Sequence, residues 1–368
     1  MKSWHELNVA ITGMNNRPDN PGPGYAIARC LHELPQFRGR IIGLGYDALD
    51  GGLFHRDVCH AGYLLPYPSG GEEPLLARLL AIHEEQPFDV LIPALDSELL
   101  AMSRLQGRLA THGIQMLLPS ATQIAARSKD HLPELCEQAG VQTPPVRTVS
   151  SATQFHASGL EDWGYPLVVK GVFYDAQVVH QRADAMAAFS RISAQWGLPV
   201  LVQPWIEGVE FNLAGVGDGL GGLYAAVMMR KQAVTEKGKA WAGMSVSCPP
   251  LLEAAQCLVK NLQWRGPLEV EMLRDREGQF HLIEINPRFP AWIYLSEGCG
   301  LNLPQVLLRS LAGNLPAKLP QARAGHLFIR YAEELVISLE DYESMVMRGS
   351  STHAQDLMLS LCEQEVAS

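Results

Sequence analysis

What the 368-residue sequence lacks narrows the field first. Its seven cysteines are scattered, odd in number and without a C-x-x-C pair. That argues against a disulfide framework or a cysteine zinc site and fits a reducing cytoplasm. No apolar run reaches the length of a membrane span, and MKSWHELNVAITG carries no signal-peptide core, so a cytoplasmic protein without a membrane partner is expected. There is no basic excess: 29 Lys and Arg face 39 Asp and Glu, for a formal net charge of -10. Non-specific nucleic-acid binding needs a basic face, so nucleic acid is not an expected partner. No internal repeat or low-complexity segment is visible, and no G-x-G-x-x-G marks a dinucleotide site. What remains is an ordinary globular composition, long enough for two or three subdomains with cores of their own.

The stretch 266–304, GPLEVEMLRDREGQFHLIEINPRFPAWIYLSEGCGLNLP, organises the rest. Apolar runs at 268–273 and 280–285 flank Asp275-Arg276-Glu277-Gly278, a β-hairpin signal. A four-residue turn pairs Arg274 with Gln279 and sets Glu271 opposite Leu282. Alternation then puts Glu271, Glu284 and Asn286 on one face, and a one-residue slip would undo this. Two carboxylates and an amide in apolar strands are costly without partners. As oxygen ligands they suit Mg²⁺ held with substrate phosphates. Arg288 follows Pro287, and its guanidinium could neutralise a phosphoryl group in transfer. The competing reading is a solvated hairpin face with structural ion pairs.

The series Glu271, Glu284 thirteen positions on, then x-Asn-Pro-Arg resembles the metal-binding hairpin of the ATP-grasp superfamily. The resemblance implies an α/β and α+β chain with the ATP-grasp fold and a Rossmann-like N-terminal (pre-ATP-grasp) domain. It implies that Glu271, Glu284 and Asn286 bind Mg²⁺, with Mn²⁺ as an alternative, between ATP phosphates. Arg288 would lie near the transferred phosphate. The segments would be 1–120 for the Rossmann-like domain, 121–199 for a lid and 200–340 for the C-terminal subdomain with the metal. Residues 341–368 would be a polar, Met-rich tail, helical or loose.

Along the N-terminal third, strands are expected at 8–13, 39–45 and 88–93 and helices near 24–34 and 72–86. A Gly/Pro-rich loop precedes the first helix, either an anion site at a helix N-terminus or a tight turn. Asp96 and Glu98 lie past a strand end, as amine contacts or, the preferred reading, with Asp96 or Ser97 capping the next helix. In the middle, 122–140 reads as one helix. The segment SKDHLPELCEQAGVQTPP resembles the family's entry, which implies that Lys129 reaches the nucleotide phosphates. Lys170 ends the apolar run YPLVVKG, and a buried lysine needs a counter-charge that phosphate supplies. It matches the family's second phosphate lysine. The next loop departs from the family: GVFYDAQVV has one glycine where a glycine-rich flap is usual, and Phe173, Tyr174 and Asp175 make it bulkier.

The stretch VLVQPWIEGVEFNLAGVGD resembles the family's hinge, implying that Gln203, Pro204, Trp205 and Ile206 read adenine and that Glu210 bonds the ribose. Residues 228–246 form a basic loop between apolar strands, a candidate phosphate clamp in which Lys231 ranks first and Lys239 second. Trp292 reads as core. A final strand is expected over 324–337, with Arg330 set to reach a carboxylate substrate. The implied activity is a ligation: a carboxylate takes the γ-phosphoryl group of ATP, and an amine displaces phosphate from the acylphosphate. Substrates would be small-molecule or peptide carboxylates and amines, with a homodimer as one open assembly. A non-catalytic ATP-binding module, or a carboxylase or phosphotransferase of the same superfamily, stands as the alternative.

Overall fold

The computed structural model describes residues 2–157, 160–172 and 175–351. Strands Val9–Ile11, Ile41–Gly45 and Val90–Ile92 are buried at every residue, as strands covered on both faces are. They pair in parallel, with Val9–Ile11 between the other two, and Ala61–Leu64 adds a further parallel strand that the sequence did not signal. Strand order reverses at Val9–Ile11. The crevice past the carboxyl ends of Val9–Ile11 and Val90–Ile92 is where such sheets take ligands.

The helix Gly24–His32 starts hard against the first strand: a Cβ on Gly24 would meet the Thr12 carbonyl at 2.0 Å. Gly24 N–H donates to Gly13 O and Gly22 N–H to Asn15 O. These two donors are spent inside the loop, which closes as a tight turn. At the other strand end the expected cap is displaced. Leu95 is the N-cap of helix Asp96–Ala110, and Glu98 reaches back to accept from Leu95 N at 2.9 Å. Buried Glu98 also accepts from Thr12 Oγ1 and the Tyr46 hydroxyl. Asp96 is left to point elsewhere.

The single helix expected over 122–140 is two, Ala121–Ala126 and Leu132–Ala139. Pro133 supplies the reason: it has no N–H to donate to the Lys129 carbonyl, as a continuous helix would need, and it fits the first turn of a new helix. Lys129 lies in the break.

A four-stranded antiparallel sheet follows, ordered Arg147–Val149, Val200–Pro204, Leu167–Gly171, Ala176–Val179. Helix Arg182–Trp196 packs on it through Ala185, Ala188, Phe189 and Ile192. Val200–Pro204 thus hydrogen-bonds in this small sheet, although it was grouped with the following segment in sequence. Phe173 and Tyr174 lie outside the described residues.

The third sheet is antiparallel and six-stranded, ordered Phe280–Asn286, Arg265–Asp275, Gly208–Asp218, Leu223–Val234, Ala240–Ser245, Leu327–Ile329. Helices Leu132–Ala139 and Pro249–Leu262 bury one face over Met272, Leu282 and Ile285. The expected hairpin register needs correction. Asp275 N–H bonds Gln279 O across a three-residue turn, and Arg274 pairs with Phe280. That slip alone would turn Glu284 to the wrong face. A bulge at Ile283 adds a second shift, so that Glu271 pairs with Glu284 and not with Leu282. Glu271, Glu284 and Asn286 consequently share a face after all.

The last expected strand is shorter than 324–337, being only Leu327–Ile329. The region read as a tail contains helix Leu339–Arg348, which buries Met345, and Ser350–Ser351, which pairs antiparallel with Ala61–Leu64. Among the described residues, no helix is long and apolar enough to cross a membrane.

Candidate active site

The face of the third sheet turned away from helices Leu132–Ala139 and Pro249–Leu262 carries a row of polar side chains, several of them buried. Glu269 and Glu271 alternate along Arg265–Asp275, opposite Asn286 and Glu284 of the next strand. Asn212 lies beside Glu271 on the other side. Each carboxylate has a cationic partner. Glu284 Oε1 is 3.1 Å from Lys129 Nζ, and Glu271 Oε2 is 3.1 Å from Lys231 Nζ. Lys231 also donates to Glu210, so the residue expected at the ribose and one expected at the metal share one ammonium.

These contacts set the charges. Burial would raise the Glu271 carboxyl, but Lys231 and Lys239 outweigh it and hold the group well below the usual carboxylate range. Burial would lower Lys231, but Glu271 and Glu210 outweigh it and push the ammonium upward. Lys170 differs. It is 5% exposed, at the end of Leu167–Gly171, and has no ion pair among the described residues. Burial, with Lys129 adding to it, lowers its pKa to about 8 against the pull of Glu284.

Asn286 is the informative ligand candidate. Its Nδ2 donates to Glu271 Oε1 at 2.9 Å and to Glu269 Oε2 at 3.0 Å. The reverse amide orientation would set Oδ1 against two carboxylates. The oxygen therefore faces away from them, the atom a hard cation would take. Two opposed carboxylates and an outward amide oxygen fit Mg²⁺ completed by phosphate oxygens. Among the described residues there is no group of three His, Cys, Asp or Glu that could hold a metal alone. The set fits a cation that arrives with a nucleotide.

Arg288 is fixed across the domains. Its Nε donates to Asp96 Oδ2 at 2.7 Å, and its Nη1 donates to Phe289 O and lies 3.7 Å from Glu269 Oε2. Arg127 Nη2 is 3.6 Å from Asp96 Oδ1. Burial would raise the Asp96 carboxyl, but Arg288 and Arg127 lower it. Asp96 Oδ1 and Asn212 Oδ1 are buried without a hydrogen-bond partner among the described residues, acceptors for which a water or ligand is the usual explanation.

The hinge residues are spread over a short edge. Gln203 is buried, opposite Val168. Pro204 has no N–H, and Trp205 N–H is taken by Pro166 O at 3.1 Å. The Trp205 side chain is 41% exposed. A depression of about 420 Å³, lined by Pro133, Val141, Pro144, His281 and Ile206 among others, shares only Ile206 with the named residues. Lys239 is exposed in the turn after Leu223–Val234, yet its charge reaches Glu271 and Asp96.

Sequence reasoning missed Glu269, Asn212 and Arg127 and misread Asp96. Glu269 carried a signal, being two residues before Glu271 and so on its face. Trp292 is buried as expected, but its Nε1–H donates to Glu269 Oε1 at 2.6 Å.

Comparison with known proteins adds an independent line. Residues 197–334 match the model of a family described as ATP-grasp in the biosynthetic pathway with Ter operon. No curated protein matches the chain in sequence. A biotin carboxylase in a β,γ-ATP complex from Campylobacter jejuni superposes with a TM-score of 0.65 at 17% identity, over 88% of this chain and 75% of that one. The biotin carboxylase domain of the Hydrogenobacter thermophilus 2-oxoglutarate carboxylase, with MgADP and bicarbonate, gives 0.65 at 15% identity, over 88% and 73%. An L-amino acid ligase from Bacillus licheniformis gives 0.64 at 17% identity, over 84% and 76%. With the hairpin, the small antiparallel sheet and the Rossmann-like domain in place, this chain has the ATP-grasp fold, and its residues 197–334 match an ATP-grasp family model.

Proposed function

We propose that the protein is an ATP-dependent ligase that activates a carboxylate as an acylphosphate for attack by an amine, releasing ADP and phosphate. One observation carries this reading: beside the opposed Glu271 and Glu284, with the Asn286 oxygen outward, stand two cations without an ion pair among the described residues, one feeling the charge of Glu284 and the other that of Glu269. Those cations are Lys170 on the small sheet and Arg330 at the end of the six-stranded sheet. Arg330 Nε donates to Ala240 O, and burial lowers its pKa to about 10 although Glu269 pulls it up. One cation suits a nucleotide phosphate, and the other suits the carboxylate of an acceptor.

In this reading Lys129, Lys170, Lys231 and Lys239 meet the phosphates, Gln203 to Ile206 hold the base and Glu210 the ribose. Glu271, Glu284 and Asn286 would hold Mg²⁺ or Mn²⁺, which neutralises phosphate oxygens when bound. A substrate carboxylate oxygen bonds to the γ-phosphorus as the bond to the bridging oxygen of ADP breaks. Arg288 faces the charge that moves. The amine nitrogen then bonds to the acyl carbon, phosphate leaves and the amine proton passes to solvent. An L-amino acid ligase among the similar structures, and a family described by a biosynthetic pathway, favour small amino-acid or peptide-like substrates.

The test is phosphate release from ATP and Mg²⁺ with pooled amino acids and short peptides, comparing the wild type with Glu284→Gln. Release that depends on a pool and falls to background in the variant supports the ligase. Equal release by a folded Glu284→Gln would sink the metal assignment. Nucleotide binding without release in any pool would favour a non-catalytic module.

A further inference from the structure

Glu269 is 4% exposed and belongs to none of the roles above. It is surrounded by donors. Oε1 accepts from Asn212 Nδ2 at 2.8 Å and from Trp292 Nε1 at 2.6 Å. Oε2 accepts from Asn286 Nδ2 at 3.0 Å and faces Arg288 Nη1 at 3.7 Å. A buried carboxylate is a costly choice inside a sheet. Here its geometry accounts for it, because both oxygens meet N–H groups and only a carboxylate accepts on both sides. A glutamine would aim an NH₂ at donors whichever way it turned.

We propose that Glu269 is a positioning residue that fixes the Asn286 amide with Oδ1 outward and steadies Arg288, and thereby sets the divalent-cation affinity of the site. The inference rests on the metal role proposed for Asn286. Two strands and the loop after Pro287 converge on this one side chain: Asn212 from Gly208–Asp218, Asn286 from Phe280–Asn286, and Trp292 and Arg288 beyond the hairpin. Losing Glu269 frees Asn286 to rotate, and its remaining bond to Glu271 does not fix both ends of the amide. Groups behind metal ligands commonly change metal affinity by about 10–100-fold when altered.

The test is Mn²⁺ binding followed by electron paramagnetic resonance, with the full chain and β,γ-methylene-ATP. Affinity for the analogue without metal is measured alongside. Glu269→Gln is expected to bind Mn²⁺ about tenfold or more weakly, with metal-free analogue affinity unchanged. Trp292→Phe removes the shortest bond to Oε1, leaves Oε2 facing Asn286, and gives a smaller loss. If Glu269→Gln does not fold, Trp292→Phe decides alone. Wild-type Mn²⁺ affinity in the folded variants overturns the positioning role while the metal site stands. No analogue-dependent Mn²⁺ signal in the wild type overturns the metal reading, and this role with it.

Discussion

Lys231 Nζ lies 3.1 Å from Glu271 Oε2 and bonds Glu210 as well, so one ammonium occupies acids expected to serve the metal and the ribose. Lys129 does the same for Glu284 at 3.1 Å. A divalent cation taken by Glu271 and Glu284, as proposed, would have to displace two lysines if it arrived alone. A nucleotide offers those lysines phosphate in exchange.

Metal binding should therefore depend on nucleotide. Lys231→Met is predicted to tighten Mn²⁺ binding in the absence of nucleotide by about tenfold, since a charged hydrogen bond contributes about 1.5–3 kcal/mol. The same variant should lose turnover. Titration of Mn²⁺ without nucleotide, by electron paramagnetic resonance, checks this. Unchanged metal affinity would show that the lysine does not compete.

Lys170 predicts a trade-off between stability and binding. Its pKa falls from 10.5 to about 8 in the folded chain, mainly through burial and then through Lys129. A lysine with a lowered folded pKa is charged at a cost below pH 8. Between about pH 8 and 10.5 the unfolded chain holds more protons, so this contribution to stability rises with pH. The displacement corresponds to on the order of 3 kcal/mol. Lys170→Met should melt at a higher temperature than the wild type at pH 7, with the gap closing by about pH 10.5. It should also bind ATP more weakly. Thermal unfolding across that range, with nucleotide titration at pH 7, tests both halves.

Asp96 is the acid that ties the Rossmann-like domain to the Glu271–Asn286 hairpin, through Arg288 and Arg127. Removing one partner of a buried ion pair leaves an uncompensated charge and costs about 3–5 kcal/mol. Asp96→Ala should lose stability on that scale in urea unfolding. Asp96→Asn, which keeps a hydrogen-bond acceptor for Arg288, should fold better and lower kcat more than it weakens ATP binding. A variant with intact kcat would mean that Arg288 needs no such tether.

The chain's own pattern made the hairpin legible because Glu271, Glu284 and Asn286 stand among apolar residues, where polar groups need a purpose. The register was not legible. It required a three-residue turn and a bulge at Ile283, two shifts whose effects on facing cancel. Glu269 was readable by period two but drew no attention beside Glu271. Asp96 was misread because a carboxylate past a strand end looks like a cap, and the arginines it meets are 31 and 192 residues away in sequence. The strand Ser350–Ser351 is two residues long, too short for periodicity to reveal. Lys129 was found by resemblance, while the break that positions it follows from Pro133.

In the proposed ligase, Arg330 is the residue that would tell the acceptor from the nucleotide. Its backbone N–H bonds Trp241 O and its Nε bonds Ala240 O, so strand Ala240–Ser245 fixes the start of the guanidinium and leaves Nη1 and Nη2 for a ligand. Burial lowers its pKa to about 10, and an acceptor carboxylate would restore the lost counter-charge. Arg330→Met is predicted to raise the KM of the acceptor carboxylate by about tenfold or more, the scale of one charge-assisted pair of about 1.5–3 kcal/mol. ATP affinity should stay within about twofold, because the cations proposed for the nucleotide are Lys170 and Lys129. Arg330→Lys should recover only part of the loss, since an ammonium lacks the planar fork that meets a carboxylate at two points. Initial rates at saturating ATP, with the acceptor varied, separate the two substrates. Equal loss for acceptor and ATP would place Arg330 at the nucleotide instead.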